Sequence, residues 1–86
     1  MTKPLSLFLI SQDENNGYST YDSAIVVATT EEEARKIHPD GSENKDILET
    51  FGTWTAIRFV EVKYLGTYLG TDYKNGYVVL ASYNAG

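Results

Sequence analysis

Cysteine is absent from this 86-residue chain, histidine, tryptophan and methionine occur once each, and proline twice. Each scarcity excludes something. Without cysteine no disulfide can staple the fold and no thiolate can bind a metal or attack a substrate. The single histidine, His38, would have to serve any Ser-His-Asp mechanism, and the usual zinc ligand sets are missing. Basic residues are few, seven Lys and Arg against 12 Asp and Glu, for a net charge of −5. Binding nucleic acid through its phosphates needs a basic stripe. Here the cations are scattered, so direct nucleic-acid binding is not expected. No stretch approaches the roughly 20 apolar residues that span a bilayer, so no membrane span is expected. The opening MTKPLSLFLIS is too briefly apolar, and interrupted by Ser6, to resemble a secretory signal. A cytoplasmic location is the expectation. No glycine-rich phosphate loop occurs either.

A chain of this length is expected to be one domain over residues 1–86 and to bury roughly 60–65% of its unfolded surface. Leu5 to Ser11 alternates Leu5, Leu7 and Leu9 with Ser6, Phe8 and Ile10, so both faces of this strand carry large apolar groups. That pattern suits a central strand. Asp22 to Thr29 is β-branched and continuously apolar, a second buried strand. Between them lies DENNGYSTYD, residues 13–22, too polar for a core. Its Asn16-Gly17 tolerates the positive φ of a turn, and its length exceeds a tight hairpin, leaving residues spare for contact.

TTEEEARKIHP is the clearest local signal. Thr30 and Glu33 fit a capping box, three glutamates face the positive helix end, and Arg35, Lys36 and His38 lie towards the negative end. Pro39 stops the helix after about two turns, with Ala34 and Ile37 facing the core. Residues 40–53 admit either a short helix bearing Ile47, Leu48 and Phe51 on one face or an ordered loop. TWTAIRFVEVKYLG returns to strand, but its alternation slips between Phe59 and Val60. A bulge or a break between two segments is expected there. Gly66 and Gly70 mark turns, and Asn75-Gly76 precedes a last strand from Tyr77 to Tyr83. The order β-β-α-β-β predicts an α+β fold. Its sheet is expected to have about four antiparallel or mixed strands under one short helix, with a β-grasp arrangement as the alternative.

Chemistry-bearing groups are sparse. His38, before a proline at a helix end, reads as a cationic cap more readily than as a catalyst. Asp13, Glu14 and Asp22 fail the EF-hand spacing, because the sixth residue from Asp13 is Tyr18 and the twelfth is Ala24. No cofactor or metal is expected, and an enzyme is disfavoured. Seven tyrosines are the more suggestive feature. If the two Asn-Gly-Tyr turns lie near one another, Tyr18, Tyr21, Tyr73, Tyr77 and Tyr83 would form one polar-aromatic patch with Asn15, Asn16, Asn84 and Asp22. Tyrosine is a common interface anchor. The same rings could stack on a base, with Lys74, Arg58 or a helix N-terminus meeting phosphates. Scattered, half-buried structural tyrosines are the competing reading.

LFLISQDENNGYSTYDSAIVVA, EEEARKIHP, VEVKYLG and VVLASYNAG together resemble a group of small uncharacterised proteins of tailed phages and prophages. The resemblance covers the chain apart from residues 40–56. It departs from that group where Val27 and Leu80 replace cysteines, which removes any thiol-based role. The resemblance brings no catalytic residue with it. It implies a non-enzymatic accessory protein in the host cytoplasm, with a counter-defence role that inhibits a host defence protein by direct binding. A sponge for a small nucleotide-like immune signal, often a homo-oligomer, is the alternative, and a structural or assembly role a further one.

Overall fold

The structure is a computed structural model and describes residues 5–14, 20–46, 53–70 and 74–84. Strand β1 (Leu5–Ser11) pairs with β2 (Thr20–Ala28) on one side and β3 (Glu61–Tyr68) on the other, and β4 (Val78–Asn84) pairs with β2. The sheet order is β3-β1-β2-β4, and every pairing is antiparallel. This excludes the mixed sheet and the β-grasp alternative, in which the first and last strands would be neighbours. β1 and β2 hold the two central places, as their two-sided apolar character requires.

Helix α1 (Glu31–Arg35) and the long connection from β2 to β3 cover one face of the sheet. Phe8, Ile10, Ala24, Val26 and Ala28 point to that side and meet Ala34, Ile37, Trp54 and Val60. Trp54, Ile10 and Val26 are fully buried, so this layer carries most of the apolar burial that opposes chain entropy. Asn44 and His38, both buried in it, are hydrogen-bonded. The buried Asn44 donates to the Thr55 carbonyl at 3.1 Å and accepts from the Asp46 amide at 2.9 Å. Asp46, with φ of 59°, accepts from the Ile57 amide at 2.9 Å. These bonds tie residues 44–46 to residues 55–57.

The helix is shorter than the sequence predicts. Thr30 caps it, its hydroxyl accepting from the Glu33 amide at 3.1 Å, but it ends at Arg35 with Lys36 as C-cap. The chain from Lys36 instead doubles back, with a bridge between Ile37 and Glu43 and the Asn44 amide donating to the Lys36 carbonyl at 2.7 Å. Five residues are too few to stand alone, so packing on the sheet maintains them. The slip at Phe59 and Val60 proves to be a break. Ile57–Phe59 is a single 3-10 turn ahead of β3, and Arg58 lies 4.8 Å above the exposed Phe59 ring. The helical face proposed for Ile47, Leu48 and Phe51 lies outside the described residues.

Three bulges decide which side chains face the covered layer. Asp22 is the extra residue between the Tyr21–Tyr83 and Ser23–Ser82 pairs. A bulge reverses the alternation, so Tyr21 packs against the core and not beside Ile25. Leu65 and Val79 are the extra residues in β3 and β4. Gly66, predicted as a turn, lies inside β3 next to that bulge. β2 also begins two residues earlier than the sequence suggests, so Thr20 and Tyr21 belong to the strand and not to the loop.

Candidate binding surface

Four of the predicted site residues gather at one end of β2 and β4. Tyr21 and Tyr83 are cross-strand partners with ring centroids 4.7 Å apart at an angle of 61°, and Asp22 is exposed beside them in the bulge. Asn84 closes β4 opposite Thr20. Behind Tyr21 stands His38, 5.8 Å away and nearly perpendicular, with the Trp54 ring 6.5 Å beyond. The Tyr21–Tyr83 pair is therefore an exposed aromatic edge resting on a buried aromatic row. Gln12, not singled out by the sequence, fixes the strand beneath it. It is buried, and its side-chain amide donates to the Tyr21 carbonyl at 3.0 Å while its oxygen accepts from the Glu14 amide at 2.8 Å.

Tyr77 lies at the other end of β4, six residues and about 20 Å from Tyr83 along an extended strand. The expected single patch is thus divided in two. Asn75-Gly76 sits against the end of β2, where Gly76, with φ of 91°, donates to the Val27 carbonyl at 2.7 Å. Gln12–Glu14 and Thr20, which flank the first Asn-Gly-Tyr, belong to the opposite end of β2. Asn15, Asn16, Tyr18 and Tyr73 lie outside the described residues.

The Asn75 turn is a ridge between two clefts. One, of about 550 Å³, is lined by Pro39, Asp40, Lys74, Asn75, Tyr77 and Val78. The second, of about 330 Å³, is lined by Glu33, Lys36, Ser42, Glu43 and Asn75. Asn75 anchors the ridge to the helix layer. Its side-chain oxygen accepts from the Thr29 amide and its nitrogen donates to the Glu33 carboxylate, both at 3.3 Å. The sequence signal for this ridge is Asn-Gly alone, and nothing local foretells that it packs on α1.

His38 is not the cationic helix cap that its position suggests. It is 4% exposed and lies three residues beyond the last helical one. Burial lowers its pKa below the usual 6.5, and the neighbouring Asp40 carboxylate only partly opposes that shift. Nδ1 faces both the Asp40 amide and the Asp40 carboxylate at 3.1 Å, and Nε2 pairs with the Thr53 hydroxyl at 3.0 Å. For Asp40, burial raises the pKa, but bonds from the Ser42 hydroxyl and amide and the proximity of His38 outweigh it, so the net shift is downward. Both ring nitrogens are occupied by the fold itself. The groups suggested for phosphate are also dispersed or engaged. Arg58 lies on Phe59, and Thr30 and three glutamates occupy the first turn of α1. Among the described residues no group of three or more His, Asp and Glu side chains could hold a metal ion, and no helix is long and apolar enough to cross a membrane.

No family model, no curated protein and no solved structure matches this chain.

Proposed function

We propose that this chain is a non-enzymatic phage accessory protein that inhibits a host defence protein by direct binding, with its contact surface along the helix side of β4. One observation carries the reading. Tyr83, within edge strand β4, and Tyr77, just before it, are each 47% exposed on backbone bonded to β2. Rigid, half-exposed tyrosines bury much area at little entropic cost when a partner closes over them. Among the described residues, β4 also has one row of main-chain groups without a neighbouring strand, which favours an extended segment of the partner. The net charge of −5, with Asp40, Glu33 and Glu43 in the clefts beside the Asn75 turn, suits a partner with basic rim residues.

The larger cleft also favours a second reading, a sponge for a small nucleotide-like signal. Tyr77 offers a ring for stacking and Lys74 a cation. Asp40 in the same cleft and Glu33 and Glu43 in the next oppose an anionic ligand, so the first reading is preferred.

Affinity capture from infected cells tests both, with mass spectrometry of the protein and small-molecule fractions. The expected result is one host protein retained by the native chain and lost from a Tyr77→Ala/Tyr83→Ala variant of unchanged fold. A small molecule released intact by heat, with no protein partner, transfers the assignment to the sponge. Recovery of the chain within purified virions, with neither partner, points to an assembly role and ends both readings.

A further inference from the structure

Apart from Val27, the second face of the sheet is partly exposed among the described residues. By register it presents Leu5, Leu7 and Leu9 from β1, Ile25 and Val27 from β2, and Leu80 from β4. Leu7, Leu9 and Ile25 are partly exposed, and Leu80 is 64% exposed. Val27, whose backbone bonds to the Asn75–Tyr77 turn, is the exception and is buried. A groove of about 280 Å³ runs along this face between Leu9, Ile25, Leu80 and Ser82. Antiparallel sheets with one wet face alternate apolar with polar residues, and β1 and β2 do not.

We infer that this face packs against the same face of a second copy of the chain, forming a two-sheet sandwich with two-fold symmetry. The size fits. Four strands about 4.8 Å apart and seven residues long at about 3.3 Å each make a face of roughly 19 by 23 Å in projection. Side-chain relief raises its accessible area towards the ~800 Å² per partner of a standard stable interface. The charge distribution selects a second copy over other occupants. The chain carries −5 overall, which would repel its own kind and recruit basic partners. At the positions the register assigns to this face, however, the charged residues are one acid, Glu61, and one base, Lys63. Glu31, Glu32, Glu33, Asp40, Glu43 and Asp46 belong to the covering layer on the other side. A basic partner finds no counter-charge on the open face, while an identical face meets it without local repulsion. Two inner faces of Leu, Ile and Ser then lie about 10 Å apart with strands about 30° from parallel. By register Tyr83 lies with Tyr21 on the covered side, so the contact does not involve it and Tyr83→Ala separates this inference from the proposed function.

Sedimentation equilibrium of the full chain at tens of micromolar tests this, with Leu80→Asp and Ser82→Arg placed on the face and Tyr83→Ala off it. The native chain and Tyr83→Ala are expected at twice the 9.6 kDa of one chain. Each face variant is expected to weaken self-association at least tenfold. Leu80 and Ser82 are exposed, so both variants retain the fold, and circular dichroism verifies it. A native chain that stays monomeric overturns the inference, and so does a dimer that both face variants leave intact. A monomer whose Leu80→Asp variant no longer captures a host protein also overturns it, and assigns the face to that protein.

Discussion

The two faces of the central strands differ little in composition and greatly in fate. Phe8, Ile10 and Val26 are buried under the helix and the segment carrying Trp54, while Leu7, Leu9 and Ile25 alternate with them and remain partly exposed. Apolarity marks both sides of β1 and β2 alike and does not tell them apart. Which side the chain covers itself depends on where the connection from β2 to β3 crosses, and three bulges adjust that choice residue by residue. The covered face holds the domain together. Among the described residues the second face stays largely uncovered and β4 has a strand on one side alone.

The comparison breaks first at Trp54. Trp54→Ala removes the largest fully buried side chain and should cost ~3–5 kcal/mol in urea unfolding, most of the stability of a domain this small. The faces themselves are compared by Ile10→Ala and Leu80→Ala. The first should cost ~2–5 kcal/mol, and the second less than ~0.5 kcal/mol at concentrations where the chain is monomeric. Equal losses would mean that the open face is covered from within the chain. Asn44→Ala sharpens the role of the covering layer. It removes the donor to the Thr55 carbonyl and the acceptor for the Asp46 amide, and should cost ~1–3 kcal/mol by the same assay. Thr30→Ala removes the cap of α1 and should cost about 1 kcal/mol, with Thr30→Ser recovering most of it.

The smallest effect is that of acid on His38. Its folded pKa is lowered, so between that value and the unfolded 6.5 the unfolded chain binds more protons. Its contribution to stability is therefore complete above about pH 6.5 and falls as the pH drops towards the folded value. Asp40 acts lower, since a depressed carboxylate stabilises above its unfolded 3.8 and loses that contribution as the pH falls through its folded value. Urea midpoints from pH 7.5 to 5 should decline for the native chain and flatten for His38→Gln.

Much of this architecture was legible in the residues. β1 was bounded correctly, the order of elements and the four strands followed from alternation and turn chemistry, and Thr30 announced its cap. Tertiary contacts account for the failures. The helix stops at Arg35 because the Ile37–Glu43 bridge takes the chain away from the helix axis, a pairing invisible at helical spacing. His38 is core because Tyr21 and Trp54, remote in sequence, converge on it. The tyrosine patch divided because the antiparallel β2–β4 pairing sends Tyr77 and Tyr83 to opposite ends. Asn44 and Gln12 gave no signal, since a polar residue that is buried and bonded looks like any surface amide until the chain has folded.

The reading that this molecule acts by occupying a partner's surface is tested most directly by titrating the captured host protein's activity against the purified chain. Inhibition should saturate at a fixed ratio of chain to target, leave the target's intact mass unchanged, and weaken in Tyr77→Ala/Tyr83→Ala. Inactivation that proceeds to completion at far lower ratios, with a chemically altered target or metabolite, would contradict the account.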